Sequence, residues 1–107
     1  MTKQITRQQL SAALVERHGQ ERQQHLYTAS VGIAGLGGLG SNIAVQLTRL
    51  GIGHLIIADC DRVEISNLNR QSYRLCDIGR PKPEALTEQL LQINPYLYYE
   101  PHFLKLT

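Results

Sequence analysis

Residues 30–41 read Ser-Val-Gly-Ile-Ala-Gly-Leu-Gly-Gly-Leu-Gly-Ser, and this stretch decides the fold. Residues 30–34 form a short apolar run, which is typical of a buried parallel strand. The glycines that follow contain Gly-x-Gly-x-x-Gly, and apolar residues then recur at helical spacing as far as Leu50. Gly51 stands where a C-terminal helix cap belongs. The stretch therefore predicts a strand, a tight glycine loop and a helix.

The rest of the chain repeats this order. A second apolar run, residues 54–58, predicts a strand that ends at Asp59. A helix is predicted to open at Pro81 or Pro83, and residues 96–100 are predicted to form a third strand. Strands that alternate with helices favour right-handed crossovers and a parallel sheet. The first strand then lies at an open edge, so either another chain completes the sheet or the sequence is a fragment of a longer protein, and we favour the fragment.

The N-terminal residues predict helices. Thr6 and Gln9 have the spacing of a capping box, and a weaker helical pattern covers residues 20–27. We therefore predict an α/β fold: a Rossmann-like parallel sheet with flanking helices, N-terminal half only, preceded by a short helical segment. We expect residues 1–28 to form that helical segment and residues 29–107 to form a partial Rossmann-like domain that is truncated at its C-terminus.

Composition excludes several classes of protein. The chain has 107 residues and a net charge of +2, from 11 basic and 9 acidic residues. This balance does not favour nucleic acid or an anionic membrane as partner. Two cysteines exclude a multi-bridge secreted scaffold, and no apolar run approaches the ~20 residues that span a bilayer. These observations predict a cytoplasmic protein.

The glycine loop indicates a nucleotide site. Gly35 permits the tight turn, and Gly37 and Gly38 let the backbone approach a phosphate chain. Gly40 lets the helix pack closely on the strand, and the free N–H groups of the helix start attract anions. Asp59 follows Gly35 by 24 residues, where a carboxylate can accept hydrogen bonds from ribose hydroxyls. The alternative is a glycine-rich turn with a capping aspartate. These residues do not identify the nucleotide.

A basic segment follows the second strand. In one helical turn Asn67, Arg70 and Gln71 share a face, because they lie at i, i+3 and i+4. Lys82 lies in the first turn of a helix, where the dipole disfavours a cation unless an anion is bound. Arg70 and Lys82 are therefore predicted to bracket a polyphosphate beside the glycine loop. The alternative is that the arginines of the segment are solvated loop charges: Arg70, Arg74 and Arg80.

Four motifs together resemble the ThiF/MoeB family, the bacterial relatives of ubiquitin-activating enzymes. The resemblance extends from about residue 30 to about residue 95 and is carried by Gly35-x-Gly-Gly-Leu-Gly-Ser41, Asp59-x-Asp61, Ser66-Asn-Leu-Asn-Arg-Gln71 and Gly79-x-Pro-Lys82. The short N-terminal helical region is similar to that of the ThiF-type members, which activate the sulfur carrier ThiS.

The resemblance implies an activity. Such family members bind ATP and Mg²⁺ and adenylate the C-terminal Gly-Gly carboxylate of a ubiquitin-fold protein, releasing pyrophosphate. The resemblance thus implies that residues 29–107 form a partial ATP-binding domain. For a ThiF-type member the implied partner is a ThiS-like sulfur carrier protein, the implied pathway is thiamin biosynthesis, and a homodimer is expected of the full-length form.

The resemblance also assigns roles to residues. Asp59 would hold the ribose hydroxyls, Asn67 and Arg70 would contact the phosphates, and Lys82 would neutralise charge on the α-phosphate. Gln71 matches the motif without a defined role. The family's Mg²⁺-binding aspartate and any catalytic cysteine are expected downstream, so no metal ligand is predicted in residues 1–107. The phosphates would be lined by the loop glycines: Gly35, Gly37, Gly38 and Gly40.

Two other functions stay open at this point. An NAD(P)-binding oxidoreductase fragment shares the fold and the glycine fingerprint, but hydride transfer does not need paired cations such as Arg70 and Lys82. A non-catalytic scaffold that docks a ubiquitin-like protein would keep the fold without the chemistry.

Overall fold

A computed structural model of the protein describes residues 5–69 and 71–105. Within these ranges two helices precede strands that alternate with helices. The main elements are α1 (Arg7–His18), α2 (Gln20–Thr28), β1 (Ser30–Ala34), α3 (Gly38–Leu50), β2 (His54–Asp59), α4 (Lys82–Ile93) and β3 (Tyr98–Phe103). Short 3-10 helices at Ile65–Asn69 and Leu75–Asp77 lie in the connection between β2 and α4. The predicted α/β, Rossmann-like architecture is confirmed.

The sheet is parallel and its order follows the sequence, β1-β2-β3, in the part of the chain that is described. Gly32 pairs with Ile56, which pairs with Glu100 on β3. Helix α3 packs on β1 and on α4, and α4 packs on β2 and β3, so both helices cover one face. The core between them and the sheet is formed by apolar side chains that include Ala44, Leu55, Ile57, Leu86 and Leu90. As predicted, β1 lies at an edge of the sheet.

The predicted helix caps and several predicted element bounds are confirmed. The Thr6 side chain accepts from the N–H of Gln9, and the Gln9 side chain accepts from the N–H of Thr6, which completes the capping box. Gly51 ends α3 in the left-handed region, with φ of 90°. The strands β1 and β2 and the helix α3 begin and end within a residue or two of their predicted bounds.

The third strand begins later than predicted and extends further. The Asn94 side-chain oxygen accepts a hydrogen bond from the N–H of Tyr96 over 3.0 Å, and this Asx turn delays the strand to Tyr98. The strand then continues through Pro101, because proline is tolerated on a strand at a sheet edge. Among the described helices, none is both long and apolar enough to cross a bilayer.

Candidate functional site

A hydrogen bond to Asp59, the last residue of β2, connects the glycine loop to the end of that strand. One carboxylate oxygen of Asp59 accepts the N–H of Leu36 over 2.6 Å, and the other accepts the N–H of Asp61 over 2.7 Å. Parallel strands end at the same edge of a sheet, so the loop after β1 and the residues after β2 meet there. Each carboxylate oxygen has a second lone pair. Asp59 can therefore hold the loop and still accept a ligand hydroxyl.

The start of α3 has the features of an anion site. Gly37 is its N-cap, and within the described residues no side chain caps this helix start. The first N–H groups of an α-helix have no intrahelical partner, and the helix dipole adds partial positive charge there. A Cβ at position 40 would lie 1.9 Å from the carbonyl oxygen of Gly35, so only glycine allows this close packing of loop and helix. The free N–H groups can therefore bind an anion.

Residues 71–73 lie against this loop and helix. A Cβ on Gly37 would lie 4.0 Å from the side-chain nitrogen of Gln71, and the side-chain oxygen of Gln71 is buried without a hydrogen-bond partner among the described residues. The N–H of Ser72 donates to the hydroxyl of Ser41 over 3.2 Å, and the Tyr73 hydroxyl donates to the Leu36 carbonyl oxygen over 2.7 Å. The predicted residue Gln71 thus adjoins the glycine loop.

Tyr73 was not singled out from the sequence. It is 6% exposed and belongs to the core, and burial, with the nearby carboxylates of Asp59 and Asp77, raises the pKa of its hydroxyl above the usual value. The hydroxyl therefore stays protonated and remains a donor at neutral pH. A single tyrosine in an irregular segment has no periodicity, so the sequence offered no signal for this contact.

The remaining predicted residues lie on the connection that leaves β2. The Asn67 side-chain oxygen accepts the N–H of Glu64 over 2.8 Å, which links the 3-10 helix Ile65–Asn69 to the residue before it. This helix begins two residues before the predicted turn. The N–H of Gln71 donates to the carbonyl oxygen of Asn67 over 3.1 Å, which joins the two predicted residues. Arg70 lies outside the described residues, so its predicted role depends on the sequence alone.

Lys82 begins α4 at the same edge of the sheet. Its N–H donates to the carbonyl oxygen of Asp61 over 3.0 Å, two residues beyond Asp59. Lys82 is 6% exposed, and no described residue forms an ion pair with its ammonium group. A largely buried cation at a helix start, without a counter-ion in the described chain, suits a bound anion.

The other two arginines of this segment are not solvated loop charges. Arg74 and Arg80 both contact the fully buried carboxylate of Asp77, at 3.1 Å and 3.2 Å. Both also contact Glu88 on α4, at 3.2 Å and 2.9 Å. These ion pairs attach the loop to α4. The spacing Arg-x-x-Asp-x-x-Arg in the sequence could have predicted the two ion pairs with Asp77.

The chain is similar in sequence to a family of known proteins. The sequence pattern described as the ThiF family matches residues 8–107. Ubiquitin-like modifier-activating enzyme 5 of Caenorhabditis elegans is 44% identical over 78 residues, which cover 73% of this chain and 19% of that enzyme. The Dictyostelium discoideum enzyme of the same name is also 44% identical, over 78% of this chain and 22% of its own length. The chain spans about a fifth of the length of these relatives.

Solved structures with bound nucleotide are similar to the chain. The Escherichia coli tRNA N6-threonylcarbamoyladenosine dehydratase TcdA in complex with ATP has a TM-score of 0.88 at 30% identity, over 100% of this chain and 44% of that one. E. coli MccB with ATP has a TM-score of 0.76 at 36% identity, over 78% of this chain and 25% of that one.

Proposed function

The chain belongs to the ThiF family, and from this premise we propose that it forms the ATP-binding half of an adenylyltransferase. The observation that carries the proposal is that the start of helix α3 has no side-chain cap among the described residues and that the loop before it is hydrogen-bonded to the carboxylate of Asp59. The helix start offers N–H groups to phosphates, and Asp59 offers acceptors to ribose hydroxyls. The ATP complexes of TcdA and MccB support ATP as the nucleotide.

The proposed reaction joins a carboxylate to the α-phosphate of ATP. The C-terminal carboxylate of a ubiquitin-fold protein attacks phosphorus, and pyrophosphate leaves. Such a carboxylate has a pKa of roughly 3.3–3.7 and is already an anion at neutral pH, so no general base is needed. The difficulty is to bring an anion up to a polyanion. The site must therefore supply positive charge and orientation.

The chain's residues can supply both. In this proposal the backbone of Gly35, Gly37, Gly38 and Gly40 lines the phosphates, and Asp59 binds the ribose. Lys82 neutralises charge on the α-phosphate, while Asn67 and Arg70 contact the phosphates and Gln71 completes the loop side of the site. Support comes from the hydrogen bond between Asp59 and the loop, from the position of Gln71 beside Gly37, and from Lys82, which has no ion-pair partner among the described residues.

Mg²⁺ is proposed to enter with the nucleotide rather than through a protein ligand in this chain. Asp59, Cys60 and Asp61 bring their ligand atoms within 4.8 Å of one another. One of these ligand atoms is the sulfur of Cys60, however, and Mg²⁺ prefers oxygen ligands. We therefore assign Asp59 a ribose-binding and loop-holding role, and Mg²⁺ would neutralise phosphate charge when bound.

The partner and pathway are the finer part of the proposal. We propose a ThiS-like sulfur carrier, thiamin biosynthesis, a homodimer of the full-length form and a cytoplasmic location, with residues 1–28 as a helical segment and 29–107 as the partial ATP-binding domain. A ubiquitin-fold partner is supported by the names of the enzymes from C. elegans and D. discoideum. The ThiS-like identity is supported by the short N-terminal helical region alone.

The test is carrier-dependent exchange of labelled pyrophosphate into ATP by the polypeptide that contains residues 1–107. Lys82→Gln keeps most of the side-chain stem and removes the charge, so exchange should slow by on the order of 10²–10³. Lys105→Gln, at an exposed position near the C-terminal end of the chain, is the matched control and should exchange at the unsubstituted rate. Equal rates for the two variants would contradict the role of Lys82.

A further inference from the structure

Tyr73 holds one polar atom of the glycine loop in place. Its hydroxyl donates to the Leu36 carbonyl oxygen over 2.7 Å, and both residues are buried. The N–H of the same Leu36 donates to Asp59. The two peptide groups that flank the Leu36 side chain are therefore each fixed by a side chain from a different part of the fold.

The geometry of the peptide bond links this contact to ligand binding. The carbonyl of Leu36 and the N–H of Gly37 belong to one planar trans peptide, in which these two bonds point in opposite directions. Because the Tyr73 hydroxyl holds the carbonyl toward the core, the N–H of Gly37 is directed away from Tyr73. Gly37, which follows this peptide bond, has no Cβ to restrict its rotation.

Ser72, the residue before Tyr73, is held against the start of helix α3 by two hydrogen bonds. The Ser72 N–H donates to the hydroxyl of fully buried Ser41, and the Ser72 hydroxyl donates to the side-chain oxygen of Asn42 over 2.7 Å. Both partners lie in the first turns of α3. Tyr73 therefore directly follows a residue that is hydrogen-bonded to the start of α3.

We propose that Tyr73 is a positioning residue that orients the Leu36–Gly37 peptide so that the Gly37 N–H faces the phosphates of the nucleotide. The inference rests on the proposed function for the identity of the ligand. Tyr73 itself does not touch the nucleotide. It acts by preventing a flip of the peptide, which would turn a carbonyl oxygen toward the phosphates.

The test compares two variants that each lose one tyrosine hydroxyl. Tyr73→Phe removes the donor to Leu36, whereas Tyr99→Phe removes a donor to the carbonyl oxygen of Asn94, 2.6 Å away at the end of α4. Loss of one neutral hydrogen bond corresponds to about a fivefold to tenfold change in a dissociation constant. We expect the Kd for ATP to rise by about that factor in Tyr73→Phe, while adenosine, which has no phosphates, binds both variants alike.

A second measurement does not need a ligand. Exchange of the Leu36 amide hydrogen, followed by NMR, should become about tenfold faster in Tyr73→Phe and stay unchanged in Tyr99→Phe, because the loop loosens only in the former. p-Aminophenylalanine at position 73 keeps a donor on the ring and should restore both Leu36 protection and ATP affinity, even if Tyr73→Phe folds poorly.

The outcomes separate the two claims. If the unsubstituted chain binds no ATP, the proposed function fails, and Leu36 exchange still decides whether Tyr73 holds the loop. If ATP binds and Tyr73→Phe matches Tyr99→Phe in both Leu36 exchange and ATP affinity, the positioning role is overturned.

Discussion

The main-chain N–H of Leu36 donates to the carboxylate of Asp59 over 2.6 Å, across 23 residues of sequence. This single contact joins the loop after β1 to the end of β2. Since the second carboxylate oxygen accepts the N–H of Asp61, Asp59 fixes two main-chain segments at the edge where the nucleotide is proposed to bind.

Replacing Asp59 should weaken ATP binding more than replacing the exposed residue Asp61 does. Asp59→Asn leaves one acceptor oxygen for two N–H donors, so the loop loses a contact worth about 1–3 kcal/mol and the ribose loses a charged acceptor. We expect the Kd for ATP, measured by calorimetry, to rise at least about tenfold. Asp61→Asn is the control, because the exposed Asp61 contributes its main-chain N–H to this junction. Similar affinities for the two variants would argue against the junction.

Gly40 should not tolerate a side chain. In Gly40→Ala the added Cβ would lie 1.9 Å from the carbonyl oxygen of Gly35, and a main-chain atom has little room to move. Overpacking of this kind costs about 1–3 kcal/mol of the free energy of unfolding, measurable by urea titration. Gly32→Ala is the matched control, since among the described atoms none lies within 4 Å of the added Cβ. An equally small effect at both positions would refute the close approach.

Asp77 should contribute stability that depends on pH. Burial works to raise the pKa of Asp77, but hydrogen bonds from Arg74 and the positive charges of Arg74 and Arg80 outweigh it, so the pKa lies below its usual value. Asp77→Asn removes one partner of a buried ion pair, and we expect a loss of about 2–4 kcal/mol in the free energy of unfolding at pH 7.

The sign of the pH dependence follows from the lowered pKa. The contribution of Asp77 is fully present above the unfolded pKa of about 3.9 and is lost as the pH falls through the lower folded value. Urea titrations should therefore give a constant difference between the unsubstituted chain and Asp77→Asn from pH 7 to pH 5, which shrinks below about pH 4. Glu84→Gln, at an exposed partner of Arg80, should change stability by at most about 0.5 kcal/mol. A difference that grew on acidification would contradict the ion-pair account.

The sequence allowed prediction of the parts of the fold that depend on local pattern. The strand at residues 30–34, the helix end at Gly51 and the capping box of Thr6 follow from periodicity, a glycine and a side-chain spacing, and all three are confirmed. These features are determined within a few residues of chain. Tertiary context was not needed to place them.

Features that depend on distant contacts could not be predicted. The start of β3 was missed for a local reason, the Asx turn at Asn94, whereas the role of Tyr73 depends on Leu36, 37 residues away. The contacts of Arg74 and Arg80 with Glu88 depend on how α4 packs against the loop. A long-range partner leaves no periodicity in the sequence. The glycines and Asp59 could be predicted as site residues because their motif has a fixed order of strand, loop and acidic residue.

Calorimetric titration of the chain with ATP·Mg²⁺ and, separately, with NAD⁺ tests the central claim most directly. Lys82→Gln serves as the variant in both titrations, since the ammonium group of Lys82 is proposed to meet the α-phosphate of ATP. The account predicts that ATP binds more tightly than NAD⁺ and that Lys82→Gln weakens ATP binding. Binding of NAD⁺ at least as tight as that of ATP, with no effect of Lys82→Gln on ATP, would contradict it.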